Sequence, residues 1–211
     1  MTQPAGDAGA HRPADPAAAV ALAVAWTGLV TGGAVLLLAP DGSPHAPPHA
    51  PPHAAALRAR GLAVASLAVG DLTRLGGAGP GSETGAAPAA AGAPFAAALL
   101  FDATLFTPAD VEDIHRLRLR RLRELLAPGG WLAFGDGETF GEPTLERPRV
   151  EAAGLAAPSA VTRRATLYTA AQAGQILGQS GFDLVRVCNG WTDRQPYAHH
   201  KPGMAFVCRR R

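Results

Sequence analysis

The hydrophobic positions fall into short apolar runs that alternate with helical stretches. Residues 17–30 are nearly all small and apolar and predict a helix packed closely on a sheet. Ala34–Ala39, bounded by Gly32-Gly33 and Pro40, is a continuous apolar run, the pattern of a strand buried on both faces. A helix is predicted from about Ala54 to Gly61, a second strand over Leu62–Val69, and a third over Phe95–Phe101. The clearest helix begins at Thr107-Pro108, where Thr107 can cap and Pro108 suits the first turn. Its stripe of Val111, Ile114, His115, Leu119, Leu122, Leu125 and Leu126 has the 3.6-residue period, and its arginines mostly occupy the other face. Pro128-Gly129-Gly130 stops it, and Trp131–Phe134 predicts a fourth strand. Thr169 and Gln172 form a capping-box pattern for a helix running to Ser180, with Gly181 as its stop. Phe182–Cys188 and Met204–Cys208 predict two last strands.

This order predicts an α/β fold: a Rossmann-like, mostly parallel sheet with helices on both faces and an antiparallel last strand. Residues 1–16 read as a loose tail, and residues 17–211 as one domain with low-complexity loops at 44–53 and 75–94. In the first of these, Pro-His-Ala-Pro recurs with a period of four residues and carries His45, His49 and His53. The prolines forbid a regular helix there, so the repeat reads as a surface loop and no metal site is assigned.

Charge and cysteine content narrow the function. With 19 basic and 17 acidic residues the net charge is +2, which argues against a dedicated nucleic-acid binder. Residues 17–39 carry no charge and are about as long as a bilayer span, but Thr31-Gly32-Gly33 interrupts them as a turn. The expectation is therefore a cytoplasmic protein with no membrane anchor. Cys188 and Cys208 form no CxxC pair and read as small buried side chains.

The block from Phe95 to Gly130 resembles the core of the class I S-adenosylmethionine-dependent methyltransferases. Leu126-Ala127-Pro128-Gly129-Gly130-Trp131-Leu132 is similar to that family's turn into its fifth strand. Leu167-Tyr168-Thr169 and Ser180-Gly181-Phe182 match the start and end of its next helix. The resemblance covers residues 34–211 and implies S-adenosyl-L-methionine as cofactor and a small-molecule methyl acceptor. In the preferred register Ala34–Ala39 is the family's second strand. Asp41, followed by Ser43-Pro44, then stands where the cofactor ribose is held. Asp71 and Leu72 stand at the adenine, and Phe101 ends the next strand.

In that register the first strand is missing and the N-terminal part is degenerate. Only Gly6 and Gly9 could supply the glycine loop. Val35–Leu38 and Ala98–Leu100 would lack a neighbour on one side, which implies a homodimer or a covering segment. In the second register Ala34–Ala39 is itself the first strand, and Asp41-Gly42-Ser43 is its loop. Methyl transfer depends mainly on alignment, and candidate bases are Asp102, His199 and His200. The alternative function is a non-catalytic binding protein of the same fold.

Overall fold

The computed structural model describes residues 15–39, 52–75, 94–101, 105–106, 112–136, 170–191 and 204–211. Helix α1 (Pro16–Thr27) starts on Asp15, whose carboxylate accepts the Ala17 N–H at 3.2 Å. It ends at Gly28, which adopts φ 64° and returns its N–H to the Val24 carbonyl. The buried face of α1 is Ala19, Val20 and Ala23, small enough to let the helix lie close to its neighbours. A turn over residues 28–33 then leads into β1 (Ala34–Ala39). The apolar span 17–39 is therefore broken into helix, turn and strand. Among the described residues no helix is long and apolar enough to cross a membrane.

After β1 come α2 (Pro52–Arg58), β2 (Ala63–Ala68), the single turn α3 (Asp71–Arg74) and β3 (Phe95–Leu100). Then follow α4 (Glu112–Leu125), β4 (Leu126–Asp136), α5 (Ala170–Gln179), β5 (Phe182–Cys188) and β6 (Met204–Arg210). The sheet order is β2-β1-β3-β4-β6-β5. The pairs β1–β2, β1–β3 and β3–β4 are parallel, whereas β6 runs antiparallel to both β4 and β5. The expected α/β class and its antiparallel last strand are both present.

One expectation fails here. Val35–Leu38 have no bare edge: Val35 faces Val64 on one side and Ala97 on the other, and Leu38 faces Leu67 and Leu100. Ala98 and Leu100 are likewise paired on both sides, with Leu36 and Leu38 of β1 and with Leu132 and Phe134 of β4. β1 occupies a central position with no gap beside it, as the second register expects. Alternation along β1 explains why it belongs there. Leu36 and Leu38 enter the core under α4 and α5, while Val35 and Leu37 enter the core under α1 and α2. All four are at most 2% exposed.

Two local expectations also change. Pro52 opens α2 rather than preventing it, because a first-turn proline loses no helical hydrogen bond. His53, from the third Pro-His unit, is consequently buried instead of lying in a surface loop. In α4 the buried stripe is His115, Arg118, Leu119 and Leu122, so one arginine turns inward and donates to the Leu105 carbonyl at 3.3 Å. The capping residues Thr107 and Thr169 lie outside the described residues.

β4 is longer than the predicted Trp131–Phe134 because the Pro-Gly-Gly turn is built into it. Phe95 pairs with Leu126 and Ala97 with Trp131, so residues 127–130 bulge opposite the single residue Ala96. Gly129 takes φ 70°, and a Cβ on Gly130 would lie 2.8 Å from the Ala127 carbonyl oxygen and 3.2 Å from that of Ala96. Those are backbone atoms that cannot swing away. Gly130→Ala is therefore expected to destabilise the protein by about 1–3 kcal/mol, an overpacking cost. Urea unfolding measures it, and an unchanged midpoint would refute the bulge geometry.

Cys188 and Cys208 are free and fully buried, as expected. They occupy different registers of β5 and β6, with Cys208 opposite Leu184 and Cys188 opposite Ala205. Burial pushes the Cys208 thiol well above its ordinary range. The folded chain thus holds a proton that the unfolded chain releases above about pH 8.5. This contribution is complete below that pH and declines as the pH rises through the alkaline range. Denaturation midpoints should fall from pH 8 to pH 10, and a thiol reagent should modify neither cysteine before unfolding.

Candidate functional site

In an open parallel sheet, ligands bind beyond the carboxyl ends of the strands, where successive crossovers diverge to opposite faces. Here that point lies between β1 and β3. The crossover after β1 runs through α2, whose Ala54 and Leu57 pack in the core under α1 and α2. The crossover after β3 runs through α4, whose Leu119 and Leu122 pack in the opposite core. The topology therefore assigns the binding crevice to the ends of β1 and β3, with β2 and β4 on its flanks.

Four aromatic rings occupy this region. His53, in the first turn of α2, stacks on Phe101, the residue that follows β3, with centroids 4.4 Å apart and planes 7° from parallel. Phe101 meets Trp191 at 4.8 Å, and Trp191 stacks on Trp26 of α1 at 5.3 Å. Trp191 follows β5 and reaches back across the carboxyl end of β4. It can do so only because residue 135 is glycine: a Cβ there would fall 2.3 Å from its indole Nε1. The indole Nε1 atoms of Trp26 and Trp191 are both buried and find no hydrogen-bond acceptor among the described residues. An unmet buried donor costs about 1–3 kcal/mol, so the pair leaves polar capacity at the switch point. Phe101, expected on the resemblance alone, thus lies at the centre of the cluster. His53, Trp26 and Trp191 were not expected, since nothing in their spacing links three residues so far apart.

Asp71 stands one strand further out, where the chain leaves β2 and enters α3. Its side chain is 44% exposed and pairs with Arg74 at 3.0 Å, itself 83% exposed. A solvent-exposed pair of this kind contributes about 0–1 kcal/mol and yields readily to another partner. Leu72 is fully buried, and its N–H already donates to the Val69 carbonyl at 3.2 Å. Val69 and Leu72, on either side of Gly70-Asp71, are both buried in the core. Gly6, Gly9, Asp41, Ser43, Asp102, His199 and His200 lie outside the described residues.

A six-stranded sheet of this order, with helices on both faces and an antiparallel β6, is the fold of the S-adenosylmethionine-dependent methyltransferases. Solved structures carry that conclusion. The chain is similar to the CcbJ methyltransferase from Streptomyces caelestis, with a TM-score of 0.58 at 17% identity over 100% of both chains. It is similar also to a TehB-like SAM-dependent methyltransferase from Corynebacterium glutamicum, with a TM-score of 0.54 at 13% identity, covering 95% of this chain and 90% of that one. A third is the Burkholderia thailandensis 1,6-didemethyltoxoflavin-N1-methyltransferase, solved with 1,6-didemethyltoxoflavin and S-adenosylhomocysteine bound. It gives a TM-score of 0.50 at 16% identity, over 94% of this chain and 79% of that one. No protein-family model and no curated protein match the sequence.

The aromatic cluster has a direct test. Gly135→Ala should expel the Trp191 ring and separate it from Trp26, while the sheet itself remains folded. Near-ultraviolet circular dichroism should lose the signal of the coupled indoles. An unchanged spectrum would mean that Trp191 does not rest on Gly135.

Proposed function

We propose that the chain is an S-adenosylmethionine-dependent methyltransferase acting on a small molecule. The observation that carries this reading is the position of Asp71 once β1 is placed at the centre of the sheet. β2 is then the second strand, and a carboxylate at the carboxyl end of the second strand is where the resemblance puts the ribose contact. The role first given to Asp41 passes to Asp71. Asp41-Gly42-Ser43 becomes the loop after the first strand.

Asp71 fits the adenosine half of the cofactor. Its carboxylate is half exposed, so two hydroxyls can reach it, and only an exposed arginine must give way. Charge-assisted bonds of this kind each contribute about 1.5–3 kcal/mol. Val69 and Leu72, buried in the core beneath the turn, hold the carboxylate's backbone in place. When bound, the cofactor supplies an electrophilic methyl group on sulfur. The protein then has to align the acceptor and keep water away. Phe101 and Trp191, packed together next to the ends of β3 and β4, form a rigid apolar wall suited to that purpose. Asp102, His199 and His200 remain the candidate bases.

Isothermal titration with S-adenosylhomocysteine tests both levels of this reading. The intact chain should bind it, and Asp71→Ala should weaken binding at least about tenfold, the equivalent of a lost charge-assisted bond. Circular dichroism of the variant should be unaltered. Binding by neither protein would favour a non-catalytic binding role for the fold. Equal binding by both would remove Asp71 from the site.

A further inference from the structure

The near-neutral net charge conceals a strong separation of charge along the strands. At the amino end of the parallel strands, opposite the crevice, the described residues gather eight arginines. Arg58 and Arg60 follow from α2, three more lie in the last turns of α4, and residues 209–211 close the chain. Only two carboxylates accompany them among the described residues, and both are taken: Glu124 by Arg121 at 2.8 Å and Asp183 by Arg211 at 2.6 Å. Asp71 and the first-turn carboxylates of α4, Glu112 and Asp113, stand at the other end. The whole chain has a formal charge of only +2. This pole is therefore a local cationic field rather than a reflection of composition.

An apolar groove opens in the middle of the same pole. It has a volume of about 250 Å³ and lies between the turn after α1 and the Pro-Gly-Gly bulge of β4. Leu29 and Val30 form one wall, and Pro128 and Trp131 the other. Val30 is 73% exposed, an unusual position for a branched apolar side chain. Arginines flank both walls. On one side Gly32 donates to the Gly61 carbonyl at 2.8 Å, which fastens the Arg58–Arg60 turn to the groove. On the other, Arg209 lies over the Trp131 ring at 5.5 Å and donates to the Gly129 carbonyl. Among the described residues Arg58, Arg60 and Arg209 have no carboxylate partner.

We propose that this pole docks an acidic amphipathic helix of a partner protein. Apolar side chains of that helix would enter the groove, and carboxylates beside them would meet Arg209 and the Arg58–Arg60 turn. The concavity selects this occupant. A bilayer surface is met by protruding apolar groups, and it cannot fill a recess between two walls. A nucleic acid satisfies the arginines but has no aliphatic side chain to bury against Leu29 and Val30. A helix with one apolar and one acidic face does both. Docking here leaves the crevice at the opposite end of the strands open, so the inference is independent of the methyltransferase reading.

Fluorescence anisotropy of a labelled synthetic peptide, with leucines at i, i+3, i+4 and i+7 and glutamates elsewhere, tests this with the full chain. Binding should be saturable, should weaken as salt rises, and should vanish when the glutamates are replaced by glutamines. Val30→Glu and Arg209→Ala should each weaken it at least about fivefold, the loss expected for an interface anchor. Val30 is exposed, so its variant should fold normally, which circular dichroism checks. No saturable binding at low salt, equal binding of the glutamine peptide, or indifference to both variants would overturn the proposal. So would tighter binding of phosphatidylglycerol vesicles or of a single-stranded RNA that the same two variants abolish.

Discussion

The structure depends on one strand. β1 is paired along both edges and buried on both faces, and its four central residues are all large and aliphatic. Each such side chain contributes about 1.5–3 kcal/mol when taken from water. The odd and even positions serve two separate cores, so the strand joins the α1–α2 layer to the α4–α5 layer. A polar residue at any of these positions would face a core, whichever face it pointed to. That constraint explains why a chain rich in alanine, glycine and proline keeps the sequence Val35-Leu36-Leu37-Leu38 unbroken.

The central place of β1 also decides where chemistry can occur. Crossovers leave β1 and β3 toward opposite faces, and the crevice between them follows from this divergence. The aromatic cluster lies against that crevice, brought together from α1, α2, the end of β3 and the end of β5. Two glycine positions make such close approach feasible. Gly135 admits an indole at the carboxyl end of β4, and Gly130 admits two carbonyl oxygens at its amino end. β4 is thus thinned at both ends, once beside the crevice and once beside the groove.

The two ends of the sheet then differ in character. The carboxyl end carries carboxylates and stacked rings, while the amino end carries arginines around an apolar recess. Parallel strands make this possible, because every helix that follows one returns its C-terminus to the same end. Arginines in the last turns of α2 and α4 therefore converge although they are far apart in sequence. They also sit where the helix dipole favours positive charge.

Much of the fold could be read from the sequence because it rests on local patterns. The strands, α4, α5 and the stop at Gly181 all follow from periodicity and from turn residues, which act over a few positions. The Pro-Gly-Gly turn and the burial of both cysteines were legible for the same reason. The neighbours of β1 were not. An apolar run buried on both faces looks the same whether it is the first strand of the sheet or the second. Spacing to Asp41 and Asp71 pointed to the second. Pairing with both β2 and β3, which leaves no gap beside the strand, is what fits the first. His53 reads as part of a proline-rich loop until Phe101 stands beside it, and Trp26 and Trp191 are unrelated until Gly135 makes room. Which segments become strands and helices depends on near neighbours along the chain, so local pattern was enough to place them. The tertiary structure decided which strand is central, which rings meet and where the arginines gather, since these depend on chain direction and on contacts between residues remote in sequence.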